Sequence, residues 1–434
     1  MKFIVNNGGK LSGNIRVPGD KSISHRSIMF GSIARGTSHI SGFLEGEDSL
    51  NTLRAFSAMG VSIEGPESGR VVIHGVGMRG LKKPAQALEL GNSGTSMRLL
   101  AGLLSGQAFD VELTGDASLS KRPMARVTSP LAEMGAKVST AEGGRPPLKI
   151  SGGCDIHGID YELPMASAQV KSCVLLAGLY ANGRTCVTEP APTRDHTERM
   201  LNAFACKVEK TGATACIHGP ATLKACDIDV PADISSAAFF MVGASIAQAS
   251  EITLEHVGIN PTRTGVIDIL RLMGANIELM NLAEAGGEPV ADIRIRSAQL
   301  KGIHIPEELV PLAIDEFPVI FVAAACAQGE TVVTGAEELR VKESDRIQVM
   351  ADGLQALGVN ARATADGMVI QGGTINGGNV HSHDDHRIAM AFSMAALLAT
   401  GTITIDDCEN VNTSFPDFVG LAAAVGLSIQ SDPS

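Results

Sequence analysis

The sequence predicts an α/β fold made of six copies of one unit, with helices inside and strands around them. The main observation is a repeat: a polar residue opens an apolar, helix-like run, which is followed by glycine and a strand-like stretch. The copies start about 70 residues apart, at Ser22, Ser93, Ser167, Ser235, Asp315 and Asp385. Each helix-like run is apolar nearly all round after its first turn, which is typical of a buried helix.

A second element recurs in the same register and supports the repeat. It is an amphipathic run that usually ends in Met-Gly or Leu-Gly and leads into a short strand, as in "LRAFSAMGVSI" and "ILRLMGANIEL". In the third copy, "MLNAFACKVEK", Cys206 stands where the others carry glycine or its neighbour. We expect this amphipathic helix to face solvent.

One hydrophobic core does not usually enclose six buried helices, so we expect two domains of three units each. The first would comprise residues 1–19 and 231–434, with the N-terminal strand "MKFIVNN" completing the C-terminal half. The second would comprise residues 20–230. Equivalent helix ends from both domains should then meet in an interdomain cleft.

Composition limits the kinds of partner. The net charge of −12 argues against nucleic acid or anionic membrane, which need a dense cationic surface. The longest nearly unbroken apolar stretch, residues 388–399, is far shorter than the ~20 residues of a membrane span. No signal segment opens the chain, so a cytoplasmic location is expected. The eight cysteines form no C-x-x-C pair, and we expect reduced thiols.

Cations occur at the starts of the predicted buried helices, where the helix end disfavours them by ~0.3–1 kcal/mol. These are Lys21, Arg26, Arg98, Lys171 and Arg387. An anion bound at a helix start would take both the N–H groups and the cation, so this pattern indicates small, multiply anionic substrates. The alternative is that some of these charges are solvated helix ends.

Further cations cluster in predicted loops and helix starts. Arg122 and Arg126 are four residues apart, as are Lys342 and Arg346, which would put each pair on one helical face. Arg194 lies in "TRDHTER". Taken alone, each such cluster could instead be a solvated surface.

The stretch "HSHDDHRIAMAF" at residues 381–392 first suggests a metal site. However, His383 and His386 would straddle a loop and a helix cap, whereas metal ligands are usually held on formed elements. We therefore expect no metal. Asp384 or Asp385 is predicted as the N-cap, Arg387 as an anion-facing cation and His386 as a proton carrier.

A family resemblance rests on several motifs in order. They are "VPGDKSISHRS", "GNSGTSMR", "SKRPMAR", "PMASAQVKS", "TRDHTERM", "AIDEFPV", "LRVKESDRI" and "DDHRIAMAF". Together they resemble the 5-enolpyruvylshikimate-3-phosphate synthase family, and "RPMAR" and "SAQVKS" resemble its class II branch. The resemblance implies an inside-out α/β barrel of two domains, each built from three βαβαββ units.

The resemblance also implies a reaction. The enolpyruvyl group of phosphoenolpyruvate would pass to the 5-hydroxyl of shikimate 3-phosphate, releasing phosphate, on the route to chorismate and the aromatic amino acids. No metal or organic cofactor is implied, the partners are the two small anionic substrates, and we expect a monomer.

The matched motifs also imply which residues bind each substrate. For shikimate 3-phosphate the resemblance implies Lys21, Ser22, Arg26, Ser167, Ala168, Gln169, Arg194, Asp315 and Lys342. For phosphoenolpyruvate it implies Lys21, Gly94, Arg122, Gln169, Arg346 and Arg387.

The reaction needs a base at the 5-hydroxyl and an acid at the C3 methylene. Only the fifth predicted helix start, "IDEF", is strongly acidic, so Asp315 is assigned the hydroxyl proton, with an ordinary N-cap as the alternative. Glu343, Lys21 and His386 are the remaining candidates for proton transfer. The division of roles among them stays open.

The chain departs from the family pattern at two places. "NTSFPDF" has Thr413 where many members carry lysine, and Gly94 stands where glyphosate-insensitive class II members carry alanine. One rival is UDP-N-acetylglucosamine enolpyruvyl transferase, which usually opens with Lys-Asn and uses a loop cysteine, whereas here Ser22 follows Lys21. The other rival is a non-catalytic anion-binding protein of the same fold.

Overall fold

The computed structural model describes residues 1–433, which form two units with separate hydrophobic cores. The C-terminal unit comprises Met1–Pro18, Pro231–Glu284 and the chain from Glu288 onward. The N-terminal unit comprises Gly19–Val230 and Ala285–Gly287.

The helices alternate between buried and amphipathic along the chain. In chain order they are α1 (Lys21–Ile33), α2 (Glu47–Ala58), α3 (Gly94–Ser105), α4 (Ala125–Glu133), α5 (Ala168–Gly178), α6 (His196–Ala203), α7 (Ile234–Ile246), α8 (Gly265–Leu272), α9 (Phe317–Ala325), α10 (Arg346–Ala356), α11 (His386–Ala395) and α12 (Phe418–Ala424).

The strands are short and lie between these helices. In chain order they are β1 (Lys2–Val5), β2 (Ser12–Ile15), β3 (Arg35–Ser41), β4 (Ser62–Glu67), β5 (Arg70–Val76), β6 (Leu88–Glu89), β7 (Val111–Thr114), β8 (Val138–Ala141), β9 (Arg145–Ile150), β10 (Asp160–Glu162), β11 (Gly183–Thr188), β12 (Glu209–Thr211), β13 (Thr214–Gly219), β14 (Ile228–Asp229), β15 (Glu251–Gly258), β16 (Asn276–Ala285), β17 (Glu288–Arg296), β18 (Glu330–Val333), β19 (Asn360–Ala363), β20 (Met368–Gln371), β21 (Gly378–His381), β22 (Ile403–Asp406) and β23 (Ile429–Asp432).

One sheet pattern repeats in the N-terminal unit. Its sheets have the strand orders β14-β3-β5-β4, β6-β7-β9-β8 and β10-β11-β13-β12. In each, the first two strands are parallel and the remaining pairs are antiparallel. A consecutive βαβαββ segment produces this arrangement in the second and third sheets, whereas in the first sheet the parallel edge strand β14 comes from the end of the unit.

The C-terminal unit carries the sheets β16-β17-β15-β2, β18-β20-β19 and β21-β22-β1-β23. β1 lies between β22 and β23 and is antiparallel to both, with Phe3 opposite Ile405 on one side and Ser431 on the other. The start of the chain therefore completes the last sheet.

The buried helices explain where the cores sit. Every residue of α7, α9 and α11 is buried, and so is every residue of α1 except Lys21 and Ser22. Burying one large apolar side chain stabilises the folded state by ~1.5–3 kcal/mol, so helices that are apolar all round fill the interior of each unit.

Short polar side chains open most of the buried helices, as their repeated polar starts predict. The N-cap side chains that accept a backbone N–H of the first turn are Asp20, Ser93, Ser167, Asp233 and Asp385. The exception is α9, whose N-cap Glu316 makes no such bond.

Left-handed backbone ends each amphipathic helix and explains the Met-Gly and Leu-Gly repeats. The residues in this conformation are Gly60, Gly135, Gly274, Gly358, Gly426 and, in the third copy, Ala205 with φ +61°. The equivalent of the repeated glycine is thus Ala205, the neighbour of Cys206. Glycine is favoured at such positions because it lacks Cβ.

The expectation of reduced thiols is wrong for one pair. Cys186 on β11 lies directly opposite Cys216 on β13, and a disulfide joins them. The remaining six cysteines are free. No helix within residues 1–433 is long and apolar enough to cross a membrane.

Candidate active site

The predicted site residues divide into two sets, one in each unit. In the N-terminal unit they are Lys21, Ser22, Arg26, Gly94, Arg122, Ser167, Ala168, Gln169 and Arg194. In the C-terminal unit they are Asp315, Lys342, Glu343, Arg346, His386 and Arg387.

The start of α1 carries a lysine and a buried arginine. Lys21 is its first residue, and its ammonium lies 3.0 Å from Oδ2 of Asp48. Arg26 lies one turn further on and donates to the carbonyl of Ser22 at 2.9 Å. Its guanidinium also donates to hydroxyls of α5 and α6, which fixes its direction.

The start of α3 gathers guanidinium groups around Gly94. A Cβ built on Gly94 would lie 2.9 Å from Nη1 of Arg122 and 3.8 Å from Nη1 of Arg98. Arg122 is itself held by a 2.6 Å hydrogen bond to Oδ1 of Asn92. This helix start therefore combines backbone N–H groups with two arginines, an arrangement suited to an anion.

Gln169 links the starts of α5 and α3. Its amide nitrogen donates to Oγ1 of Thr95 at 3.0 Å, and its amide oxygen accepts a hydrogen bond from Arg98. Ser167 caps α5, and Ala168 and Gln169 form its first turn. The structure thus brings Gly94, Arg122 and Gln169 to one place, while Arg194 lies in the segment between β11 and α6.

Lys171 does not face an anionic ligand, so that interpretation is wrong. Its side chain is fully buried, and its ammonium lies 3.0 Å from Oε1 of Glu189 and 2.8 Å from Oε1 of Glu198. Sequence reasoning missed this because both carboxylates come from outside α5.

Arg346 is the centre of the C-terminal set. It is 1% exposed, donates to both carboxylate oxygens of Asp385 at 2.8 and 3.3 Å, and also donates to Glu343 at 2.7 Å and to Asp315 at 3.3 Å. Burial alone would lower the pKa of Arg346, but Asp385, Glu343 and Asp315 outweigh it and raise the pKa above its ordinary value. The guanidinium is therefore permanently charged and firmly oriented.

Asp315 accepts contacts from three cations. Nζ of Lys342 lies 3.5 Å from its Oδ1, on the same oxygen that Arg346 approaches. Nη1 of Arg387 donates to its backbone carbonyl at 3.0 Å and lies 3.9 Å from Oε1 of Glu316. Because Glu316 is the N-cap of α9, the alternative in which Asp315 is the N-cap is wrong.

The histidine-rich stretch leads into α11. His383 and Asp384 both have positive φ, Asp385 is the N-cap, and His386 is the buried first residue of the helix. His381 is on β21, where its Nδ1 lies 3.4 Å from Oδ2 of Asp406. Within the part of the chain described, no cluster of three or more potential ligands is arranged to hold a metal ion.

The expected sharing of one helical face by charged pairs is wrong. Arg126 is in α4, but Arg122 precedes that helix. Likewise Arg346 begins α10, and Lys342 precedes it. The four-residue spacing crosses a helix start in both cases, so the helical periodicity does not apply.

A buried polar network in the N-terminal unit was also not predicted from the sequence. Nδ1 of His25 lies 2.8 Å from Oγ1 of Thr52, which lies 2.7 Å from Oγ of Ser96, and Ser96 donates to the N-cap Ser93 at 2.7 Å. Burial, followed by the nearby charges of Lys21 and Arg26, lowers the pKa of His25 to about 3. The motif "DKSISHRS" contains His25, but its residues do not indicate which distant side chains His25 contacts.

These features define a class. Both units are α/β repeat structures in which cationic side chains gather at the starts of buried helices, as expected of a protein that acts on small anions.

Comparison with known proteins identifies the family. The family model described as EPSP synthase (3-phosphoshikimate 1-carboxyvinyltransferase) matches residues 5–421. A 3-phosphoshikimate 1-carboxyvinyltransferase of Nitrosococcus oceani is 66% identical over 430 residues, covering 99% of this chain and 97% of the relative. That of Alkalilimnicola ehrlichii is 67% identical, covering 99% and 96%. The chain belongs to the EPSP synthase family.

A solved structure is similar to this chain over its whole fold. An EPSP synthase from Acinetobacter baumannii matches with a TM-score of 0.90 at 60% identity, covering 99% of this chain and 100% of that one. The predicted α/β fold with its repeated units and buried helices is thereby confirmed.

Proposed function

We propose that this protein transfers the enolpyruvyl group of phosphoenolpyruvate to the 5-hydroxyl of shikimate 3-phosphate, producing 5-enolpyruvylshikimate 3-phosphate and phosphate. One observation carries the proposal: relatives bearing the name of this activity share about two thirds of their residues with the chain over 99% of its length. The cations and carboxylates of the two sets supply the chemical groups that the reaction requires.

Shikimate 3-phosphate is assigned to residues of both units. In the N-terminal unit these are Lys21, Ser22, Arg26, Ser167, Ala168, Gln169 and Arg194, and in the C-terminal unit Asp315 and Lys342. Arginine and lysine suit its phosphate, while the serine and glutamine side chains suit its ring hydroxyls. The contacts of Arg26 with two hydroxyls and a carbonyl support this role, because they preset the guanidinium before a ligand arrives.

Phosphoenolpyruvate is assigned to the arginines near Gly94 and in the C-terminal set. Arg122 and Gln169 lie with Gly94 at the start of α3, and Lys21 lies at the start of α1. Arg346 and Arg387 both contact Asp315. A phosphate and a carboxylate on one small molecule need several cations, which these side chains provide.

The addition step requires one proton to leave the 5-hydroxyl and one to arrive at C3, and the elimination step requires one proton to leave C3. In the proposed reaction Asp315 takes the proton of the 5-hydroxyl, and the hydroxyl oxygen bonds to C2 of phosphoenolpyruvate while C3 gains a proton. The C2–O bond to phosphate then breaks, and loss of a proton from C3 restores the double bond. Glu343, Lys21 and His386 are the candidates for the C3 protons and the leaving phosphate.

We further propose that the protein acts as a monomer in the cytoplasm without a metal or organic cofactor. One chain supplies every assigned side chain. The six free thiols are in keeping with a reducing compartment, whereas the disulfide between Cys186 and Cys216 is not. Light scattering on the purified protein tests the oligomeric state, and activity after chelation tests the metal.

The deciding assay measures phosphate released from phosphoenolpyruvate in the presence of shikimate 3-phosphate, shikimate or UDP-N-acetylglucosamine. Release that needs shikimate 3-phosphate supports the proposal. Release with UDP-N-acetylglucosamine alone would assign the rival transferase activity, and binding of both anions without release would make the protein a non-catalytic binder.

A further inference from the structure

The buried cation Lys171 joins three elements of the N-terminal unit. Its ammonium bridges Glu198 on α6 and Glu189, which directly follows β11. Thr193, in the segment between β11 and α6, donates a hydrogen bond to Glu189. Lys171 is 0% exposed and both glutamates are nearly so, which is unusual for a charged cluster and requires that each charge be paired.

A second bridge lies beside the first. Ser172 and Thr197, the chain neighbours of Lys171 and Glu198, are joined through their hydroxyls at 2.8 Å. Arg26 of α1 donates to both hydroxyls, through Nε to Thr197 at 2.7 Å and through Nη2 to Ser172 at 2.9 Å. The register between α5 and α6 therefore sets the direction of the Arg26 guanidinium.

The same two helices carry other residues assigned to shikimate 3-phosphate. Ser167, Ala168 and Gln169 lie at the start of α5, and Arg194 lies two residues before α6, in the segment that Thr193 anchors. An apolar side chain could hold two helices together, but it could not select one register through directed hydrogen bonds. An ammonium with three N–H groups can.

We propose that Lys171 is a positioning residue for the phosphorylated cyclic polyol substrate, holding α5 and α6 in the register in which Arg26, Gln169 and Arg194 meet that substrate. This inference rests on the proposed function and extends it: Lys171 does not touch the substrate, and its effect is larger for shikimate 3-phosphate, because of the three residues that it positions only Gln169 is also assigned to phosphoenolpyruvate.

The test compares Lys171→Met with the triple variant Lys171→Met, Glu189→Gln, Glu198→Gln. The single variant leaves two carboxylates buried without a cation and loses thermal stability, whereas the triple variant removes the repulsion and regains much of it. In both variants we expect the KM for shikimate 3-phosphate to rise about tenfold or more, because the guanidinium of Arg26 is no longer held in its direction. The KM for phosphoenolpyruvate, at saturating shikimate 3-phosphate, should rise several-fold less, since Gln169 is the only residue positioned by Lys171 that is also assigned to it.

Two further variants sharpen the result. Lys171→Arg keeps a cation with several donors and should restore much of the affinity for shikimate 3-phosphate. Lys207→Met removes an exposed lysine paired with Glu209 in the same unit and should change nothing. If the single variant does not fold, the triple and arginine variants still decide the question.

The contrary outcomes are distinct. Recovery of the shikimate 3-phosphate KM together with stability in the triple variant would assign Lys171 a purely structural role. A normal KM in Lys171→Met would overturn the inference alone, leaving the proposed function intact. Failure of the wild type to bind shikimate 3-phosphate by calorimetry would overturn both.

Discussion

Nη1 of Arg346 donates a 3.3 Å hydrogen bond to Oδ1 of Asp315, and Nζ of Lys342 lies 3.5 Å from the same oxygen. Two cations on one oxygen stabilise its negative charge and hold it in a fixed direction. A carboxylate held in this way can accept a proton from a substrate hydroxyl, whereas a neutral amide cannot.

We therefore expect Asp315→Asn to lower turnover roughly 10²-fold or more while leaving binding of shikimate 3-phosphate nearly unchanged. The amide keeps the shape of the side chain but loses the ability to act as a base. Steady-state kinetics and calorimetry measure the two effects separately.

Glu338→Gln is the matched control, since Glu338 also pairs with Lys342, at 3.9 Å. It tests whether loosening this lysine is enough to impair turnover. Near-normal turnover in Asp315→Asn would remove the residue from the base role, whatever the control shows.

Gly94→Ala is expected to weaken glyphosate more than phosphoenolpyruvate. The added Cβ would lie 2.9 Å from Nη1 of Arg122, so the guanidinium must shift, and a longer anion should tolerate that shift less well. Inhibition constants for glyphosate and KM values for phosphoenolpyruvate, taken at one salt concentration, measure this. Gly373→Ala is the control, because no atom lies within 4 Å of its added Cβ. An equal change in both constants would show that the methyl group does not discriminate.

Thr413→Lys tests the departure from the family pattern. The hydroxyl of Thr413 donates to the carbonyl of Asn410 at 2.7 Å, so this side chain closes its own turn. An added cation gives up to ~1 kcal/mol, which predicts a KM for phosphoenolpyruvate up to about fivefold lower and a parallel gain in glyphosate inhibition. Thr402→Lys, which also removes a threonine with a side-chain hydrogen bond, should have no such effect. No gain from the lysine at position 413 would mean that the other cations already suffice.

The buried His25 predicts a pH dependence of stability. Its pKa falls from 6.5 to about 3 in the folded protein, through burial, then Lys21 and Arg26, with Asp20 opposing. Between these values the unfolded chain binds a proton that the folded protein does not, so stability decreases as pH falls from about 6.5 toward 3. The slope approaches ~1.4 kcal/mol per pH unit.

In His25→Gln this contribution disappears, so the free energy of unfolding should change less steeply between pH 6.5 and 4.5 than in the wild type. Urea unfolding at several pH values measures the slope. His218→Gln removes an exposed histidine and should leave the slope unchanged. An identical slope in His25→Gln would show that His25 is not the group responsible.

The local patterns of the sequence were enough to predict the repeat. Helical periodicity distinguishes α7, which is apolar all round, from an amphipathic helix such as α8, and short polar side chains such as Ser93 and Asp385 mark where buried helices begin. These features depend on residues within one or two turns of each other, so the sequence displays them directly. The order of the motifs indicated the family for the same reason.

The pairing of charges could not be read from the sequence. Lys171 and Arg387 both occupy the first turns of buried helices, yet Lys171 is enclosed by Glu189 and Glu198 while Arg387 contacts Asp315. Their local sequences do not distinguish these outcomes. The charge of a side chain is encoded locally, but its partner is decided by which distant segments the fold brings within a few ångströms.

The sequence by itself thus determined the repeat, the buried helix starts and the kinds of side chain placed there. Only the tertiary structure decided that Arg346 is clamped by Asp385, 39 residues further along the chain, and that His25 reaches the cap of α3 through Thr52 and Ser96. The physical reason is that backbone conformation follows from short-range sterics and hydrogen bonding, whereas the electrostatics of a site depend on contacts between residues that are remote in sequence.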